Sequence, residues 1–413
     1  MPVRYFQRFL VVGSMVLLLT AIASAQSSRP RRVVEPKKQD SLLLPQPTPT
    51  PASKTKNVPL LDVKPVKPVG NAPASSAPAD TTHAFLLFQQ GQYEAAAKEA
   101  KQVAADDPQN AEVWKLAGFS EMGLKKYAEA SADLQKALDL QRAAKQEDSH
   151  TVDELAQAYF FAEKFDSALP LLVSSTARAG TQPDAQMIYY RAVAEYKTGK
   201  TADAEKSFNS VVKLNPKDSS SLLYLGQIAL ARNDLDGAIV ALNRATVNDP
   251  RLASAWAQLT TVYLRRAGAA TDETKADADY LSAVRAGEGL IKLRTDEDAL
   301  ILFGNALIGS KQYARAAAAL ERAAAGKDAK ETTFYLLGVA HSRAKNFPKA
   351  IAALERAAQL KPNDVNVYRE LGYAYEVMKQ YAKALAVYEK GLSIVPNDAD
   401  FKESADRVRP FAK

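Results

Sequence analysis

Phe334-Tyr-Leu-Leu-Gly338-Val-Ala-His-Ser-Arg-Ala-Lys-Asn346-Phe347-Pro-Lys-Ala350-Ile-Ala-Ala-Leu354-Glu-Arg-Ala357-Ala-Gln-Leu-Lys361-Pro362 is one copy of a pattern with a period of 34 residues. Gly304 and Gly372 stand one period to either side of Gly338. Nine residues after the three glycines come Tyr313, Phe347 and Tyr381, and twelve after come Ala316, Ala350 and Ala384. Sixteen after come Leu320, Leu354 and Tyr388, and nineteen after come Ala323, Ala357 and Gly391. Small residues such as Gly338 and Ala350 let two helices approach closely, and large ones such as Phe334, Phe347 and Leu354 fill the space beside them. The apolar positions recur at helical spacing, first Leu336, Leu337, Val339 and Ala340, then Ile351, Leu354, Ala357 and Ala358. Asn346 marks the turn, and Lys361-Pro362-Asn363-Asp364 stops one hairpin and caps the next. A period of this length means stacked helical hairpins.

The same spacing runs upstream. Gly226 leads to Leu235, Ala238, Leu242, Ala245 and Pro250; Gly118 leads to Tyr127, Ala130, Leu134 and Ala137. Alanine replaces the glycine at Ala192, Ala156 and Ala84. Another copy starts at Trp256, Leu259 and Tyr263 and is interrupted by an insertion, Arg266 to Ala278, which the pattern predicts to lengthen one hairpin. Nine copies span about residues 77–398, and Phe401, Ala405 and Val408 share one face of a capping helix expected over 399–410. No stretch shows sustained strand alternation, so the predicted class is all-α. Trp114, Trp256, Tyr127 and Phe347 are assigned to the core between hairpins.

The pattern resembles the tetratricopeptide repeat family. Its best copies are Trp114…Ala117-Gly118…Tyr127…Ala130, Leu225-Gly226…Ala238…Pro250 and Tyr368…Leu371-Gly372…Tyr375…Tyr381…Ala384…Pro396. The resemblance implies a right-handed superhelical solenoid and a scaffold for protein or peptide partners, with the first helix of each hairpin lining a concave groove.

Two further segments precede the repeats. In residues 1–25, Arg4 and Arg8 come before an apolar run from Phe9 to Ala23 that ends in Ala23-Ser24-Ala25. That is the layout of a cleaved export leader, which places the chain in a bacterial periplasm or outside the cell. The competing reading is an uncleaved anchor facing the same compartment; the run is short for a span and is broken by Gly13 and Ser14. Residues 26–80 carry Pro45-Gln-Pro47-Thr-Pro49-Thr-Pro51 and Lys64-Pro65-Val66-Lys67-Pro68, a composition expected to form an extended, disordered tether. Proline spacings resembling ligand motifs are expected by chance at this density, so the spacing alone assigns no docking role.

The formal charge of +7 suggests a nucleic-acid binder until it is partitioned. Arg4 and Arg8 supply two of these charges, and the tether has nine basic against four acidic residues. The repeat region 81–413 then has 43 of each, so it lacks a nucleic-acid footprint. The basic tether reads first as a solvated linker kept soluble by its charge, with peripheral contact to an anionic envelope surface as the alternative.

Catalytic chemistry has little to stand on. The three histidines, His83, His150 and His341, lie in different repeats, and cysteine is absent, so no metal-binding spacing and no disulfide exist. His341 is expected to be a packing residue. Ala194-Glu-Tyr-Lys-Thr-Gly199-Lys200-Thr201 matches a relaxed phosphate loop, but it falls in a hairpin turn rather than between a strand and a helix. The expectation is therefore a non-enzymatic protein with no cofactor and no metal.

The candidate site is the predicted groove. Counting from the reference glycine or its substitute, the inward places lie three before, one after and four to five after. They hold Lys115, Phe119, Phe160, Phe161, Tyr189, Val193, Tyr196, Gln227, Arg265, Asn305, Tyr335, Arg343, Arg369 and Tyr373. Aromatic rings with isolated cations between them suit an extended or helical peptide, the rings supplying affinity and the charges register. The family's carboxylate clamp needs a Lys and an Asn one turn apart. It is absent here: Lys115 is followed by Phe119, Arg369 by Tyr373, and Asn305 is preceded by Ile301.

Overall fold

The computed structural model describes residues 81–178 and 184–412. The leader reading of 1–25 and the tether reading of 26–80 lie outside the described residues. Within them, nineteen α-helices, one short 3-10 helix (Arg409–Phe411) and no strand are found. The all-α reading holds.

The helices fall into nine successive pairs. They are α1 (Thr82–Gln89) with α2 (Tyr93–Asp106), α3 (Ala111–Gly123) with α4 (Tyr127–Ala143), and α5 (Ser149–Phe161) with α6 (Phe165–Thr176). Next come α7 (Ala185–Lys197) with α8 (Thr201–Leu214), α9 (Ser219–Ala231) with α10 (Leu235–Asn248), and α11 (Ala253–Ala269) with α12 (Glu273–Ile291). The last three pairs are α13 (Glu297–Gly309) with α14 (Tyr313–Ala324), α15 (Glu331–Arg343) with α16 (Phe347–Leu360), and α17 (Val365–Val377) with α18 (Tyr381–Ile394). A final helix, α19 (Ala399–Val408), buries Phe401, Ala405 and Val408. The insertion at 266–278 lengthens both members of its pair, α11 to 17 residues and α12 to 19.

The chain forms two compact units, divided between Ser221 and Leu222 inside α9. In the first, the core is built in steps, each joining one hairpin to the next. Leu134 and Leu138 of α4 meet Val152 and Leu155 of α5, and Leu169 and Leu172 of α6 meet Met187 and Ala194 of α7. In the second, one continuous cluster runs from Leu264 through Leu307, Leu354 and Tyr388 to Val408.

The glycine spacing acquires a partner in these cores. A Cβ on Gly338 would stand 2.4 Å from Leu354 Cγ, and on Gly304 and Gly118 it would stand 2.7 and 2.5 Å from Leu320 and Leu134 Cγ. The residue sixteen positions on therefore lies against the bare backbone of the first helix. Any side chain there overpacks the crossing, at about 1–3 kcal/mol.

Each hairpin turn has one residue in the left-handed region in eight of the nine pairs, at Gly91, Lys125, Glu163, Gly199, Asn233, Lys311, Lys345 and Lys379. Its N–H and the next close back on the first helix, as Lys345 N–H donates to Ser342 O and Asn346 N–H to His341 O. The phosphate-loop look-alike has the same geometry: Gly199 N–H donates to Tyr196 O and Lys200 N–H to Glu195 O, so these donors are used within the turn.

The aromatic residues assigned to the core need one correction. Trp114, Trp256, Tyr127 and Phe347 are only partly buried. The two indoles act as ties: Trp114 Nε1 donates to Pro108 O at 3.0 Å and Trp256 Nε1 to Pro250 O at 2.9 Å, while Tyr368 OH does the same to Pro362 O at 2.8 Å. An amphipathic ring at this place packs its body on the hairpin and ties its polar edge to the connecting turn. His341 is buried, its Nε2 3.4 Å from Glu321, and burial holds its imidazole below the ordinary value.

Candidate functional site

In the first unit the structure brings three of the candidate residues into one aromatic network. Phe160 and Phe161, consecutive at the end of α5, meet edge to face at 5.4 Å. Phe160 packs on Tyr190 at 4.4 Å, Phe161 on Tyr190 at 5.4 Å and on Tyr127 at 4.9 Å. Tyr189 joins through Tyr190 at 6.3 Å and rests on Phe208 at 6.1 Å. Phe161 remains 39% exposed, so the network opens to solvent at one ring. Tyr127 and Tyr190 were not among the candidates; Tyr190 lies two residues before the reference alanine, Ala192, a place the groove projection omits.

Glu154 borders this network and was also missed. It lies two residues before Ala156 on α5, as Tyr190 does before Ala192 on α7. Burial, and then the neighbouring Asp153 carboxylate, push its carboxyl up to about 7. Asp153 has its own cation, Arg178, in a two-pronged contact at 2.9 and 3.1 Å. Among the described residues no basic group offsets Glu154. Tyr190 is pushed up to about 12, first by burial and also by the Asp184 and Glu154 carboxylates, against the pull of a Gln186 hydrogen bond.

Lys115 and Phe119, one turn apart on α3, form a cation–π pair at 5.9 Å. The ammonium also lies 2.7 Å from Asp148 and 3.3 Å from Glu112. Burial works against its charge, and those two carboxylates more than compensate, leaving Lys115 above the usual lysine range. Val193 is buried, and Tyr196 is half-buried with its phenol pushed up by burial.

In the second unit two candidate cations are already in use. Arg343 clasps Glu370 at 2.9 and 3.0 Å, joining α15 to α17. Arg369 pairs with Asp398, the N-cap of α19, and lies over the Phe401 ring at 5.0 Å. These contacts lock hairpins to one another. Arg265 differs: it is half-buried, burial holds it below the ordinary arginine value, and no carboxylate among the described residues pairs with it. Gln227 is half-buried, whereas Asn305 and Tyr335 are buried. Tyr373 is 47% exposed and touches Phe347 edge to face at 6.3 Å.

Among the described residues no group of three His, Asp or Glu side chains converges as metal ligands do, and no helix is long and apolar enough to cross a membrane. The arrangement offers ring faces and isolated charges, a chemistry of contact.

Two family profiles described as tetratricopeptide repeat match the chain, one over residues 81–147, 154–219, 190–253 and 301–365, the other over 342–404. No curated protein matches the sequence. Among solved structures, the C-terminal part of a tetratricopeptide-repeat protein from Cytophaga hutchinsonii is 17% identical, covers 60% of this chain and 97% of its own, and has a TM-score of 0.47. MamA from Desulfovibrio magneticus is 21% identical over 44% of this chain and 97% of its own, at a TM-score of 0.39. YrrB, described as having an unusual peptide-binding site, is 18% identical over 48% of this chain and 97% of its own, at 0.40.

Proposed function

Because the chain belongs to the tetratricopeptide repeat family, a fold suited to protein–protein interaction, we propose that it is an exported, non-enzymatic scaffold. It docks a protein or peptide partner on the first-helix faces of its hairpins and serves envelope assembly, secretion or export. The observation that carries this reading is the network of Phe160, Phe161, Tyr189 and Tyr190, open to solvent at Phe161. Rings held rigidly by their neighbours lose little entropy on contact and make good anchors. Tyr373 supplies a second exposed ring in the other unit. Export is supported by the leader-like residues 1–25, and a start at Gln26 in the native protein would establish cleavage.

Phe161→Ala and Tyr373→Ala test the docking face, since both rings reach solvent; unchanged helical signal on circular dichroism confirms that the hairpins stay folded. Capture of partners from a cell-envelope extract by the full chain is expected to fall about tenfold or more for the dominant partner with at least one variant. Equal recovery with both variants and the native protein would remove the assignment.

A further inference from the structure

Three junctions are built on the same three places: nine after the reference residue of one repeat, five after that of the next, and two before that of the one beyond. Where Tyr313, Arg343 and Glu370 hold these places, an arginine clasps a glutamate at 2.9 Å. Where Tyr127, Phe161 and Tyr190 hold them, the middle ring stacks on Tyr127 and meets Tyr190 edge to face. Where Tyr93, Gly123 and Glu154 hold them, the middle residue has no side chain, and a Cβ on Gly123 would stand 2.7 Å from the Tyr93 ring. Glu154 thus holds the repeat place of Glu370, while the place of Arg343 is held by a glycine and no basic group among the described residues offsets the acid. Its charge acts on Tyr190, whose ring meets the partly exposed Phe161 of the neighbouring junction.

A carboxylate beside open rings suits a cation carried on a proline-rich strand, because prolines lie flat on aromatic faces while a lysine reaches the acid. The chain itself carries such a strand. We propose that Lys64-Pro65-Val66-Lys67-Pro68 docks on this face, one lysine against Glu154 and the prolines against Phe161 and Tyr190. The charges are complementary: residues 81–221 have 16 basic against 20 acidic side chains, and residues 26–80 have nine against four. The reach suffices, since the 13 residues from Pro68 to Thr81 span up to roughly 45 Å, several helix-to-helix spacings of about 10 Å. Joined to its site, the strand acts at an effective concentration in the millimolar range, so a weak contact is enough to hold it. A partner using the same rings must displace it. The inference rests on the reading of this face as a docking surface.

The absence of cysteine makes the test direct. Spin labels on Gly70→Cys and Asp166→Cys of the full chain report the distance between the strand and the turn beside the network. A narrow short-distance population is expected, and Glu154→Gln or the pair Lys64→Ser and Lys67→Ser should abolish it; the lysine pair lies outside the array and cannot unfold it. A broad distribution unchanged by these variants overturns the proposal. So does a narrow peak seen only when the labels sit on different molecules, or only after another basic protein is added. Capture that depends on Phe161 alongside a broad distribution keeps the docking face and removes only the strand as its occupant.

Discussion

Glu154 is the residue whose behaviour departs most from its type. With a carboxyl near 7 in the folded chain against an ordinary value of 4.5, the folded state binds more protons than the unfolded one between those limits. Stability therefore falls as pH rises through that window and levels off above about 7. The titratable neighbours are Asp153 on the same helix and Tyr190 on α7, in the next hairpin, and neither supplies a compensating charge. In the Lys64→Ser/Lys67→Ser background, which leaves the carboxyl without a docked lysine, Glu154→Gln should match its parent near pH 4.5 and exceed it at pH 8 by about 2–3 kcal/mol, measured by urea unfolding. Parallel stability curves across that range would show that Glu154 is well solvated. Little of this was legible in the sequence. The 34-residue spacing exposes Gly338 and its partner Leu354 because they recur, but Glu154 gains its character from burial and from the neighbouring Asp153 charge, which no repeat spacing marks.

Between helices, the hairpins are joined by ties that vary in chemistry but not in place. Arg343 and Glu370 are the clearest, with side chains 19% and 8% exposed. Arg343→Ala leaves Glu370 buried without a cation and should cost about 2–3 kcal/mol, whereas Arg343→Met with Glu370→Leu should be nearly neutral. A double-mutant cycle read by urea unfolding checks this, and additive losses would contradict a coupled pair. The projection of Arg343 and Arg369 onto a groove surface missed these ties, since a cation on an inward position looks the same in sequence whether it meets a ligand or the next hairpin. The indole ties did leave a trace. Pro108 and Trp114, Pro250 and Trp256, and Pro362 and Tyr368 are each six residues apart, a spacing that marks the ring as a clamp on the connecting turn.

At the scale of the molecule, a chain of repeats separates stability from recognition. The residues that recur, such as Gly118, Leu134, Ala130 and their equivalents, are buried and hold each hairpin to itself. Those that differ from copy to copy, Phe161, Glu154, Arg265 and Tyr373, keep surface or charge that the fold does not use. This is why the period reads out the fold, whereas the residues of the proposed docking face carry no period to mark them. The central claim, that a partner sits on the first-helix face, is tested most directly with a photo-crosslinking amino acid in intact cells. It is placed in turn at Phe161, on the first helix α5, and at Lys136, exposed on the second helix α4. The account predicts a discrete crosslinked partner from position 161 and none from 136; equal crosslinking at both positions, or none at 161, would contradict it.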